Sequence, residues 1–85
     1  LPTLTMNIGK RSRYRVRLIH RNVPGVMARV NQIFASSEAN VDAQILATMD
    51  EVGYVLTDIS AGLGREALEE LSHLPETIRL IATPL

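Results

Sequence analysis

The period of the hydrophobic pattern changes repeatedly along this 85-residue chain, and the order of those changes constrains the fold more than any single motif. From Tyr14 to Ile19 the apolar residues alternate. Tyr14, Val16 and Leu18 share one face and Arg15 and Arg17 the other, which predicts a strand with one solvated face. From Pro24 to about Ser37 the period lengthens, and Val26, Met27, Val30, Ile33 and Phe34 form the buried stripe of an amphipathic helix. Alternation returns from Asn40 to about Met49, with Val41, Ala43, Ile45, Ala47 and Met49 on one side. Asp50-Glu51-Val52-Gly53 reads as a hairpin turn, and Tyr54 to Ser60 as a strand rich in β-formers. Gly62 and Gly64 break that strand. Arg65 to about His73 then carries Ala67, Leu68 and Leu71 on one helical face, with Leu74 just beyond and Glu66, Glu69 and Glu70 towards water. Pro75 stops this helix, and Thr77 to Ala82 makes a last short strand. The resulting β-α-β-β-α-β order is that of an α+β, ferredoxin-like sandwich: a four-stranded antiparallel sheet with two helices on one face. Ile19, Leu46, Leu56 and Ile81 are expected on the open face or at an edge, and an apolar open face on so small a domain predicts pairing with another domain.

The length allows one domain, assigned to residues 14–85, preceded by a lead-in over residues 1–13 that Pro2 and Gly9 keep irregular. The opening Leu-Pro is read as a cut from a longer protein. At 46% hydrophobic and 21% charged residues the composition is that of an ordinary globular chain. A formal net charge of zero gives no global bias towards nucleic acid or membrane. The charges are nonetheless segregated. Lys10, Arg11, Arg13, Arg15, Arg17, Arg21 and Arg29 precede residue 30, whereas all 9 acidic residues lie at Glu38 or later. Attraction between the two halves, or to a second copy, explains this more simply than an anion-binding patch. The absence of cysteine excludes disulfides and thiolate chemistry, and no apolar run or signal peptide points to a membrane.

The residues that could bind a ligand cluster at the first strand-to-helix junction. His20 and Asn22 stand before Pro24, expected at the first helical position, and before Gly25, where a small ligand could approach the backbone, with Val26 following. A helix start exposes unpaired N–H groups and suits a carboxylate. Singly, His20 reads as a surface or edge residue and Asn22 as a turn residue; together they suggest a lip that holds a small anion or zwitterion. Asn40 opens the next strand, at the far end of the helix, so a share in the same site requires a second copy of the domain. Its plainer explanation is the left-handed position after a helix. His20 and His73 are the only histidines, and nothing composes a catalytic triad, a carboxylate pair or a metal set. An RNA-binding module of this topology stacks bases on sheet aromatics. Tyr14 and Tyr54 lie on or beside the relevant strands, but Gly53-Tyr54-Val55-Leu56-Thr57-Asp58-Ile59 lacks that module's aromatic and basic pattern.

His20-x-Asn22-x-Pro24-Gly25-Val26, Asn40-Val41-x-Ala43-Gln44 and Gly53-Tyr54-Val55-x-x-Asp58-Ile59 together resemble the ACT domain, and most of all the C-terminal regulatory domains of D-3-phosphoglycerate dehydrogenases. The likeness spans nearly all of residues 14–82 and the Leu1-Pro2 lead-in. It implies a regulatory, non-catalytic part of a cytoplasmic, NAD-dependent oxidoreductase of serine biosynthesis, whose cofactor and catalytic domains lie elsewhere in the parent. It implies side-by-side pairing of two domains through the first strand, as a dimer, and feedback inhibition by L-serine bound between them. His20 and Asn22 would contact serine from one subunit and Asn40 from the partner. The backbone at Pro24, Gly25 and Val26 would take the carboxylate, Asn40 the ammonium, and His20 or Asn22 the hydroxyl. A pairing domain without effector is the alternative. Departures from the family pattern are Arg21 and Val23 on the lip, Glu38 and Glu76 at positions commonly glycine, and Ser12-Arg13 in place of a Gly-pair hinge.

Overall fold

The structure, a computed structural model, describes residues 13–60 and 63–85. Its elements are β1 (Arg13–Arg21), α1 (Val26–Ser36), β2 (Asn40–Met49), β3 (Val52–Ser60), α2 (Arg65–Ser72) and β4 (Thr77–Pro84). The expected β-α-β-β-α-β order is therefore present. The lead-in up to Ser12, and Gly62, lie outside the described residues, while Arg13, assigned to the lead-in, opens β1. Gly53 is not part of the turn: Met49 pairs with Val52, so only Asp50 and Glu51 connect β2 to β3.

The sheet is antiparallel with strand order β2-β3-β1-β4. This corrects one expectation. β1 is hydrogen-bonded to β3 from Arg13↔Ser60 to Arg21↔Val52 and to β4 on its other side, so both its edges are used and it cannot join two sheets. Among the described residues the free edges are those of β2 and β4.

Alternation then decides which face each residue takes. Val16 and Leu18 of β1 and Val55 and Ile59 of β3 point to the helices, where they pack with Val26, Val30, Ile33 and Phe34 of α1 and with Leu63, Ala67 and Leu71. Each of these Val, Leu, Ile and Phe side chains contributes roughly 1.5–3 kcal/mol by leaving water. Thr57 lies in the same buried layer and is satisfied by Gln44, whose Nε2 donates to its hydroxyl at 2.9 Å and to Asn31 Oδ1 at 2.9 Å. On the open face lie Arg15, Arg17, Ile19, Tyr54, Leu56, Asp58, Arg79 and Ile81. Leu46 pairs with Val55 and so belongs to the helix side, at the exposed margin of the edge strand. Two register shifts interrupt the ladders. One, in β2, leaves Asp42 without an opposite residue between Val41↔Ile59 and Ala43↔Asp58. Val41 consequently faces the helices, opposite to Ala43, Ile45, Ala47 and Met49.

Helix α1 ends in a Schellman motif: the N–H of Glu38 donates to Ala35 O at 3.2 Å and that of Ala39 to Phe34 O at 3.3 Å. The left-handed residue this motif needs is Glu38, at φ 62°, and not Asn40, which is already in β2.

Candidate functional site

The junction between β1 and α1 is tied to the hairpin turn beside it. Asn22 donates its backbone N–H to Glu51 O at 2.8 Å and its side-chain Nδ2 to Asp50 O at 3.1 Å. Val23, half-buried, packs against the core. Pro24 is not the first helical residue. It precedes Gly25, which is the N-cap with φ 87°, so the helix cannot start before Val26. The glycine is needed for that positive φ, which an L side chain adopts only at a cost. Among the described residues no side chain caps α1, and no acidic residue stands in its first turn, so neither offsets the positive end of its dipole.

His20 is 1% exposed, far more buried than a lip residue would be. It shares the helix-side face with Val16 and Leu18, and its ring lies across Gly53 of the neighbouring strand. A Cβ on Gly53 would stand 2.2 Å from the ring's Cε1 and 2.6 Å from Nε2. Nδ1 lies 2.8 Å from the carbonyl of Arg21, which can only accept, so Nδ1 carries the proton. In the neutral ring this leaves Nε2 as an acceptor, and Nε2 is buried with no partner among the described residues. A buried polar atom so placed costs roughly 1–3 kcal/mol.

Arg29 completes this end of the molecule. One guanidinium nitrogen, Nη1, lies 3.2 Å from the position of a Cβ on Gly25, and Nη2 pairs with Glu76 Oε2. Glu76 in turn accepts the Arg21 N–H through its carbonyl at 2.8 Å, so the turn before β4 is fastened to the same junction. Sequence reasoning missed Gly53 and Arg29. The cross-strand register that sets Gly53 under His20 has no local signal; Arg29, one turn after Gly25, could have been found from helical spacing.

Asn40 lies at the opposite end of the sheet. The β2 residue level with Gly53 and His20 is Thr48, about 27 Å along the strand at ~3.4 Å per residue. His20, Asn22, Pro24, Gly25 and Val26 are thus brought together within one chain, and Asn40 is not. Its Nδ2 donates to Asp42 Oδ1 at 2.8 Å and, at 3.4 Å, to Ser60 Oγ.

Among the described residues no cluster of His, Cys, Asp or Glu has the makings of a metal site. No helix among them is long and apolar enough to cross a membrane. A hollow of about 350 Å³ on the open face is lined by Arg17, Ile19, Tyr54, Arg79 and Ile81. Another of about 340 Å³ lies between α2 and β4, and neither includes His20, Asn22 or Asn40. Tyr54 is the open face's aromatic residue; Tyr14 packs on the helix side.

Comparison with known proteins bears on the fold and family of the chain. The family model described as AHAS small subunit-like ACT domain matches residues 16–79. The D-3-phosphoglycerate dehydrogenase of Dictyostelium discoideum is 38% identical over 68 residues, 80% of this chain and 16% of that protein. The enzyme of the same name from Escherichia coli (strain K12) is 42% identical over 67 residues, 76% of this chain and 16% of that protein. This chain therefore spans about one sixth of these relatives. Among solved structures, the regulatory subunit of aspartate kinase from Thermus thermophilus superposes with a TM-score of 0.68 at 25% identity, covering 85% of this chain and 50% of that one. Because the family model extends from within β1 into β4, the chain belongs to the ACT domain family.

Proposed function

We propose that this domain binds L-serine between two copies of itself and thereby feedback-inhibits a parent D-3-phosphoglycerate dehydrogenase, whose NAD chemistry belongs to other domains. The observation that carries the reading is the pairing of two features at this junction: the buried Nε2 of His20, without a partner among the described residues, and the start of α1, which none of their side chains caps. An uncapped helix start suits a carboxylate, and a neutral imidazole acceptor suits a hydroxyl donor. L-serine has both, and its ammonium needs acceptors that Asn40 of a second copy can supply.

The strand order supports β2, rather than β1, as the pairing edge. Two β2 strands placed antiparallel about a two-fold axis set Asn40 of one copy opposite the Met49 end of the other. That is the end carrying His20 and Asn22. Serine bound there stabilises the pair over the separate domains, and differential affinity of this kind, typically about 1–3 kcal/mol, is what transmits regulation.

Titration calorimetry with L-serine, glycine, L-alanine and L-phenylalanine tests the reading. Saturable heat with L-serine, much weaker with alanine, is expected at one site per chain. Asn40→Ala should weaken binding about ten- to a hundredfold, the worth of a hydrogen bond to a charged group, while leaving the fold intact. A dimeric chain that binds none of the four amino acids sinks the proposal and leaves a pairing module without effector.

A further inference from the structure

We infer that Asp42, the extra residue of the β2 bulge, is a positioning residue that fixes the amide of Asn40 with its oxygen free for a ligand cation. Its role in binding rests on the shared serine site proposed above. An asparagine amide offers a donor end and an acceptor end of nearly the same shape, and only its neighbours decide which is presented. Asp42 decides it here. A carboxylate can only accept, and Oδ1 of Asp42 takes the Asn40 Nδ2–H at 2.8 Å. Ser60 Oγ reinforces the arrangement, 3.4 Å from Asn40 Nδ2 and donating to Asp42 Oδ1 at 3.3 Å. The second carboxylate oxygen is itself held: Arg13 Nη2 lies 3.4 Å from Asp42 Oδ2. With the NH2 group engaged on this side, the acceptor end of Asn40 is the one presented to an ammonium, and among the described residues nothing donates to it.

The bulge makes this possible. Val41 and Ala43 pair with Ile59 and Asp58, so Asp42 has no opposite residue on β3. It is free to bend its carboxylate back to Asn40 and Ser60. Such bulges recur where a strand must re-aim a side chain.

A double-mutant cycle separates positioning from a merely structural or electrostatic role. L-serine is titrated into the unmodified chain, N40A, D42A, D42N and N40A/D42A, and the Asn40 side-chain NH2 resonances are followed by NMR without ligand. D42A should weaken serine binding about tenfold in the unmodified background and leave it unchanged in the N40A background. D42N, which keeps an acceptor oxygen, should bind serine within about threefold of the unmodified chain. The Asn40 NH2 resonances should shift in D42A and stay near their positions in D42N. Equal weakening by D42A in both backgrounds, or unmoved Asn40 resonances in D42A, overturns the inference. If the unmodified chain binds no serine, the regulatory reading falls, and the resonances alone decide whether Asp42 positions Asn40.

Discussion

The His20 ring occupies the volume that a methyl group on Gly53 would need, so the two residues must be read as one unit. Gly53→Ala should force the ring aside, because its Cβ would fall 2.2 Å from Cε1. Overpacking of this kind destabilises by about 1–3 kcal/mol, and urea unfolding should show a loss in that range. Serine binding should weaken as well, since the displaced ring moves Nε2; unaltered stability would remove the contact from consideration. Glu38 offers the converse case. At φ 62° it holds a conformation that favours glycine, so Glu38→Gly should stabilise the domain by about 1 kcal/mol. For a domain of this size that raises the melting temperature by about 4–8 °C, and a lowered value would refute the strain. The Glu38 position was legible only through the family resemblance, as a place commonly glycine; the residues by themselves pointed to Asn40 as the left-handed one. Gly53 was not legible, because proximity to Asp50-Glu51 made it look like a turn residue and its real neighbour is 33 positions earlier in the sequence. Pro24 misled for a related reason. Proline suits a first helical position, but the positive φ of Gly25 delays the helix by two residues.

Among the elements, periodicity located all four strands and both helices, since each buries one face and the pattern records which. What it could not record is pairing. The alternation through β2 put Val41 with Ala43 and Ile45, whereas the bulge at Asp42 turns Val41 to the other side. The central place of β1 is equally silent in its own residues and follows only from the sheet order. That order moves attention to β2, an edge strand with Ile45 62% and Met49 77% exposed. Long, exposed, apolar edges invite a second strand. Successive N–H groups on such a strand point alternately to the neighbour and outward. Of Ile45→Pro and Leu46→Pro, one therefore removes a ladder bond to β3 and the other removes only an outward donor. The second variant should remain folded by circular dichroism yet sediment as a monomer at concentrations where the unmodified chain is a dimer. A folded proline variant that stays dimeric would exclude β2 as the pairing edge.

At the scale of the whole molecule, the segregated charges turn out to fasten early strand and helix to late ones. Arg13 meets Asp42, Arg15 meets Asp58 through paired bonds of 2.7 and 2.9 Å, and Arg29 meets Glu76. Asp58 holds the Arg15 guanidinium above its ordinary pKa, chiefly by hydrogen bonding and then by charge. A raised pKa gives stability that is complete below the unfolded value and lost only above the folded one. Arginine titrates far above neutrality, so this pair adds no pH dependence through Arg15 near neutral pH. Of the five early arginines among the described residues, Arg13, Arg15 and Arg29 are thus paired within the chain, and Arg17 and Arg21 are in none of these ion pairs. The half-site proposed at the α1 start makes a sharp prediction about mixtures. His20→Ala and Asn40→Ala homodimers each spoil both shared sites, one from each wall. In a heterodimer of the two, one site carries both substitutions and the other carries neither. Unfolding and refolding the variants together lets subunits exchange, so about half the dimers are mixed and about a quarter of all sites are intact. Calorimetry on the mixture should therefore recover high-affinity serine binding at about a quarter of the unmodified stoichiometry, with neither variant binding tightly alone. A site formed within one chain would recover nothing on mixing, because every chain in the mixture lacks one of its walls.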